Sequence, residues 1–396
     1  MRSSNRTLRS TRSARSNMTS AAIALTLFAA AGCAGASDGP SAGPADDRAV
    51  QDAQVAVDAA YEGTYSTPPS TASSPPEDKN VWVISCGQAV IGCSTPSDAA
   101  VEAVEAIGWN VNLYDGKLGA DNAYADGVRQ AVAGDADAII IASIDCSLIK
   151  QPLAEAREAG VEVVTLLSYD CDDPRLGGGE PLYSASVIPN ADEKTVSAYS
   201  IAQGKMKAQW AIAQTEGETV ALSLYETDNL LGADIAKGFE EEIKACSSCR
   251  LVSLKFTLAD IASGALPNKV SQALLKDPEI NAVMTPYDSL LVLGVAQAIV
   301  RSGRNDEIAS IGGEGYSPNL ELIKNNGGQD AAIYESTEWF GWAAVDSLVR
   351  VFNDDAQEPA GIGSQLLDGD HFPETNKAGV VPPVDFKAAY LKAWGK

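Results

Sequence analysis

Carboxylates and tyrosines recur where short apolar runs of this chain end. Ala138 to Ala142 is followed by Ser143, Asp145 and Cys146, and Val161 to Leu167 by Ser168, Tyr169, Asp170 and Cys171. Later runs close on Tyr225-Glu226-Thr227-Asp228, Tyr287-Asp288, Gly313-Glu314-Gly315 and Tyr334-Glu335. Carboxylates so placed can accept paired hydrogen bonds from hydroxyl or ammonium groups. They can also simply cap the helix that follows. Asp170/Asp172 and Glu226/Asp228 have the composition for glycosidase acid–base work. The wider requirements of catalysis are missing: His371 is the only histidine, and no Ser-His-Asp set, metal-ligand cluster or phosphate loop is present. Gly177-Gly178-Gly179 precedes a strand, so it reads as a turn. Recognition of a small ligand, with neither metal nor cofactor, is the expected chemistry.

The elements that position these residues follow from the hydrophobic pattern. Ala138 to Ala142 and Val161 to Leu167 are short, rich in Ile and Val, and apolar throughout, as strands buried on both faces are. The helical spacing between them makes a βαβ unit, which forces parallel strands. Similar units run from Val81 to Ile188 and from Asp192 to Leu367. The pattern predicts an α/β fold with two doubly wound, Rossmann-like parallel-sheet lobes. In such sheets ligands bind outside the carboxyl ends of the strands, where the polar residues fall.

The chain has 396 residues, enough for about two domains, and a net charge of −24. That charge argues against nucleic acid and anionic membrane surfaces as partners. Arg2, Arg6, Arg9, Arg12 and Arg15 precede a short apolar stretch, Ala21 to Ala31, which ends in Ala30-Ala31-Gly32-Cys33. The segment resembles a bacterial lipoprotein signal (1–32) with Cys33 as the lipidated residue. Ala30 stands where Leu is usual, and an ordinary secretory signal is the alternative. Residues 33–79, rich in Ala, Ser, Pro and Gly, read as a flexible linker, with a short helix indicated at Asp46 to Ala60. The six remaining cysteines, Cys86, Cys93, Cys146, Cys171, Cys246 and Cys249, suit disulfides in an exported chain. Fifteen connectivities are open; the preferred one pairs Cys86–Cys93, Cys146–Cys171 and Cys246–Cys249. The middle pair has the best argument, since both cysteines follow neighbouring strands.

Several segments together resemble the ribose-type periplasmic binding proteins, the substrate-binding components of bacterial sugar importers. They are Asp126-Gly127-Val128-Arg129-Gln130-Ala131 before DADAIIIASIDCS, LAEAREAGVEVVTLL (Leu153 to Leu167), and Lys237-Gly238-Phe239. Tyr287-Asp288 through Val295-Ala296-Gln297-Ala298, Ile311-Gly312-Gly313-Glu314-Gly315, and Ala332 to Ala344 complete the series. The resemblance covers about residues 80 to 395. It implies a bilobed class I fold with three crossovers, near Ser186–Pro189, Glu335–Thr337 and Leu367–Phe372. The N-terminal lobe would be 80–187 plus 337–366, and the C-terminal lobe 188–336 plus 367–396. It further implies a monomer, held by lipid at the extracytoplasmic face of the cell membrane, that hands a small polar ligand to an ABC transporter permease. Hinge closure would capture that ligand.

Carried over by residue, the resemblance implies ligand contacts at Asp145, at Tyr287 or Asp288, at Glu314 and at Glu335. The departures are informative. The loop Cys86 to Cys93 offers Gln88 but no aromatic, Gly313 stands where Phe is common, and Ala233 replaces an Arg. Tyr169, Tyr225, Tyr287 and Trp339, with Asp170, Glu226 and Asp228, are candidates to fill the site instead. Such an acidic, aromatic pocket would suit a sugar, or a cation through charge pairing and cation–π contact. A receptor signalling to a membrane kinase would use the same fold.

Overall fold

A computed structural model describes residues 47–396, with 378 excepted. Two sheets form, each from successive βα units. The first contains β1 (Asn80–Ser85), β2 (Asn110–Asp115), β3 (Ala138–Ala142), β4 (Glu162–Leu166) and β5 (Ala185–Ser186). All five are parallel, in the order β2-β1-β3-β4-β5. Intervening helices α2 (Ile91–Ile107), α3 (Ala123–Ala133) and α4 (Cys146–Glu158) cover its faces. The second sheet contains β6 (Val220–Glu226), β7 (Arg250–Phe256), β8 (Ala282–Met284), β9 (Ala309–Gly313), β10 (Ala331–Tyr334) and β11 (Gln365–Asp368). Its order is β11-β10-β9-β8-β6-β7, and only β11 runs antiparallel to its neighbour. Around it lie α5 (Val196–Gln214), α6 (Leu230–Ala245), α8 (Leu266–Lys276) and α10 (Ser317–Lys324). Both expected lobes therefore form, with parallel strands whose ends carry the polar residues. No helix among the described residues is long and apolar enough to cross a membrane.

Local chemistry explains where helices start and stop. Thr195 and Asn229 cap α5 and α6 by accepting from the N–H groups of Ala198 and Gly232. Gly264 takes a positive φ and separates α7 (Leu258–Ala262) from α8. A wider π-type turn, Leu291–Val295, leads into α9 (Ala296–Arg301).

Two segments depart from expectation. Residues 47–79 are no free tether. They begin with α1 (Asp47–Ala60), whose Ala53, Val57 and Ala60 bury in the C-terminal-lobe core with Trp210 and Phe239. The helix indicated at Asp46 to Ala60 forms, and the spacing of those three residues places them on one buried face. Beyond α1, the Thr64 and Ser66 N–H groups donate to the carbonyls of Ser364 and Gly361. Arg350 then donates to Thr71 O, and the Trp109 indole to Pro76 O. The segment thus crosses from one lobe to the other. The chain's end also moves. β11 belongs to the C-terminal-lobe sheet, so that crossover lies before Gln365, where Ala360 and Ile362 donate to Ile188 and Pro189. After β11 the chain returns to the N-terminal lobe. There α12 (Phe386–Ala393) stacks Phe386 on Trp339, and Trp394 stacks on Trp342 of α11 (Thr337–Phe352). The three expected crossovers are therefore joined by 61–79 and 369–385.

All three preferred disulfides form: Cys86–Cys93, Cys146–Cys171 and Cys246–Cys249. The second ties the β3–α4 loop to the loop after β4.

α5 and α6 set the C-terminal lobe's geometry by backbone contact. A Cβ at Gly204 would overlap Ile235 O, and one at Gly238 would overlap Ile201 O. Only glycine permits that crossing, and it fixes the direction in which α6 points its N-terminus. Gly204→Ala and Gly238→Ala are each expected to destabilise the protein by about 1–3 kcal/mol, as overpacked cores do. Urea unfolding measures this, and a shift within a few tenths would contradict the close crossing.

Candidate functional site

A cavity lies between the carboxyl ends of the two sheets. The N-terminal lobe contributes the Cys86–Cys93 disulfide, Val90, Leu118, Tyr124, Ser143 and Leu167. The C-terminal lobe contributes Asn229, Leu231, Ile235, Tyr287, Ser289 and Glu314, and the crossover between the lobes adds Glu335 and Thr337. One part of the lining is aliphatic, the other hydroxyl and carboxylate.

Three lining residues hold uncommon backbone conformations. Ser143, Leu167 and Glu314 each immediately follow a strand, β3, β4 and β9, and their φ values are 56°, 52° and 59°. The left-handed region costs a residue with a Cβ on the order of 1 kcal/mol or more. Its recurrence at three strand ends around one cavity marks the cavity as the place where backbone direction matters.

Glu314 is locked by a reciprocal arrangement. Asp288 N–H donates to Glu314 Oε2 at 2.6 Å. The Asp288 carboxylate in turn accepts from the N–H groups of Gly313 and Gly315, both at 2.9 Å, and from Gln329 at 2.8 Å. Asp288 is therefore a buried brace behind the site. Burial pushes its carboxyl up to about 7, against the pull of those donors. Glu314 is raised well above the usual carboxylate range, by burial first and then by Asp288 and Glu335. Glu335 accepts from Gln203 Nε2 at 2.9 Å and is raised by burial.

Sequence reasoning missed the cation in this neighbourhood. Lys207 on α5 is fully buried and donates to the carbonyls of Thr285 at 3.1 Å and Pro286 at 2.6 Å. Burial lowers its ammonium to about 8, although Glu314, Asp288 and Glu335 oppose the fall. A signal existed: Tyr199, Gln203 and Lys207 recur at four-residue steps and are all buried. Asn229, Ser289, Thr337, Tyr124 and Ser143 were not singled out as ligand contacts either.

Other expected contacts serve different ends. Asp145 bridges the lobes: Oδ1 accepts from Tyr169 N–H in its own lobe at 3.1 Å, and Oδ2 from Leu230 N–H in the other at 3.0 Å. It thus sits at the N-terminus of α6, where the helix field favours an anion. Tyr169 donates its hydroxyl to Asp234 of the C-terminal lobe at 2.9 Å. Arg175, stacked 5.1 Å over the Tyr169 ring, reaches the same Asp234. Asp170 accepts from the N–H groups of Cys171, Leu182 and Tyr183 and holds a loop. It lies near Cys146 and Cys171, whose sulfurs are joined to each other, so they form no metal site.

Trp339 is core, stacked on Phe386 with its indole N–H on Tyr390 Oη. Tyr225 leans on the core beneath α5 and α6. Glu226 is wholly buried, accepts from Tyr287 Oη at 2.7 Å and is pushed by burial up to about 8. Gln88 donates its backbone N–H to Asp115 and is not among the lining residues. Of the expected contacts, Tyr287, Glu314 and Glu335 line the cavity.

With this geometry in hand, the chain can be set beside known proteins. No curated protein matches its sequence. Solved structures resemble its fold. A galactofuranose binding protein is 21% identical with a TM-score of 0.61, covering 74% of this chain and 95% of that one. The binding protein component of the arabinose ABC transporter from Shewanella sp. ANA-3, bound to L-arabinofuranose, is 19% identical with a TM-score of 0.59, covering 80% and 95%. An ABC transporter solute binding protein from Agrobacterium vitis with bound allitol is 17% identical with a TM-score of 0.60, covering 74% and 96%. A family model described as the periplasmic binding protein domain matches residues 89–356, more than half of the chain. The chain therefore belongs to the periplasmic binding protein domain family.

Proposed function

We propose that this protein captures a small, polar, sugar-like molecule between its lobes outside the cytoplasmic membrane and passes it to an ABC importer. The observation that carries this reading is the cavity at the paired strand ends, where Tyr287, Ser289, Glu314, Glu335 and Thr337 offer hydroxyls and carboxyls. The galactofuranose, arabinofuranose and allitol named for similar folds are of that chemical kind. Such a protein is a binder and transforms nothing. A lipid on Cys33 would hold it, as a monomer, at the membrane; Cys33 lies outside the described residues.

The cycle is one of population shift. Open lobes sample closure, and a ligand touching both lobes favours the closed form by its differential affinity. Asp145 on the α6 N-terminus and Asp234 with Tyr169 and Arg175 define the closed state.

Two outcomes follow. In a thermal-shift screen of pentoses, hexoses and polyols, a true ligand at a hundred times its Kd stabilises by about 2.7 kcal/mol and raises the melting point. No shift by any such compound contradicts the reading. The second concerns pH. Burial raises Asp145 to about 6, Asp288 to about 7 and Glu226 to about 8, all above their values in the unfolded chain. The folded state then holds more protons, so stability falls as pH rises from about 4.5 to 8. Lys207, lowered to about 8, acts in the opposite direction only above that pH. The melting point should fall between pH 5 and 8, and Glu226→Gln should flatten the upper part of that fall. A melting point rising over this range contradicts the closed, carboxyl-burying structure.

A further inference from the structure

We propose that the ligand carries a positively charged amine in addition to hydroxyl groups. This rests on reading the cavity as the binding site and deepens that reading by naming the ligand's charge.

Glu314 and Glu335 face the cavity, and none of the described residues lining it is Lys, Arg or His. Glu314 Oε2 is taken by Asp288 N–H, whereas Oε1 has no partner among the described residues. The charged and titratable groups around Glu314 come from each element packed on it: Asp288 after β8, Glu335 after β10, Tyr316 before α10, and Lys207 of α5. Lys207 supplies one positive charge to three carboxylates, and two backbone carbonyls already occupy its ammonium. Behind Tyr287, and not among the lining residues, Glu226 is wholly buried and its Oε1 has no hydrogen-bond partner among the described residues. Carboxyl groups therefore outnumber cationic groups on the Glu314–Glu335 side of the cavity.

Closing the lobes over a neutral ligand would bury that excess, and buried unpaired carboxylates are strongly unfavourable. Each must hold a proton, accept from hydroxyl or N–H donors, or meet a cation. A ligand ammonium has three donors and no acceptor, which matches the free oxygen of Glu314 and the neighbouring Glu335. Charge-assisted hydrogen bonds of this kind are about twice as strong as those between neutral groups. Hydroxyls of the same ligand would meet Ser289, Thr337, Asn229 and Ser143, and its carbon frame the aliphatic part formed by Leu118, Leu231 and Ile261. Tyr287 adds an aromatic ring beside the acids, a surface that attracts cations.

Matched pairs test the charge alone. Calorimetric titration at pH 7 would compare 3-amino-1,2-propanediol with glycerol and glucosamine with glucose, on wild-type protein and on Glu314→Gln and Glu335→Gln. Circular dichroism would confirm that both variants fold. The expected result is at least tenfold tighter binding of the amine in a pair, with that preference falling tenfold or more in Glu314→Gln. Neutral members binding as well as their amines would overturn the inference and leave the binding reading standing. An amine preference that survives in both variants would also overturn it. Silence from every member of both series would count against the binding reading itself.

Discussion

A carboxylate taken out of water needs donors or a counter-charge, and much of this structure answers that requirement. Packed together, the lobes bury Asp145, Glu226, Asp288 and Glu335 to 6% exposure or less. Each is met differently. Asp145 takes backbone N–H groups from both lobes, including one at a helix N-terminus. Asp288 takes two from the β9 turn and a side-chain amide. Glu335 is held by Gln203, while Glu226 keeps one oxygen on Tyr287 and the other free. Backbone donors are fixed by the fold, so these contacts form only when the lobes and loops adopt this arrangement. Closure and the polarity of the site are thus one problem. The left-handed residues Ser143, Leu167 and Glu314 belong to it, because they aim three strand ends at the cavity.

The scaffold makes such placement reproducible. The Gly204–Gly238 crossing locks α6 against α5, which sets where the α6 N-terminus meets Asp145. The Cys146–Cys171 bridge joins the loop carrying Asp145 to the loop carrying Tyr169. On the opposite side, 61–79 runs beside the crossover at 360–364, and α12 returns to the N-terminal lobe. These extra passages add peptide contacts to the hinge region without entering the cavity.

Strands were legible in the sequence because burial on both faces leaves unbroken runs such as AIIIA, which no amphipathic helix shows. The Cys146–Cys171 disulfide was legible because neighbouring strand ends bring its cysteines together, and the other two join cysteines 7 and 3 residues apart. Site residues were harder. An Asp after a strand can contact a ligand, cap its own helix or cap a helix in another lobe, and Asp145 does the last. That choice depends on the approach of a segment 85 residues away, which local pattern does not carry. Tyr169 and Trp339 look alike as aromatics in the sequence, yet one bridges the lobes and the other packs on the terminal helix. Lys207 stood in plain view on the buried stripe of α5, and its meaning emerged only with the acids around it. The helix at residues 47–60 was legible, but its packing was not, because small side chains leave a faint periodic signal of burial.

The central claim is that closure runs through Asp145 on the α6 N-terminus. Small-angle X-ray scattering of ligand-free wild type and Asp145→Asn tests it most directly. The account predicts a larger radius of gyration for Asp145→Asn, as the population moves toward separated lobes. Superimposable scattering curves, with both proteins folded, would contradict it.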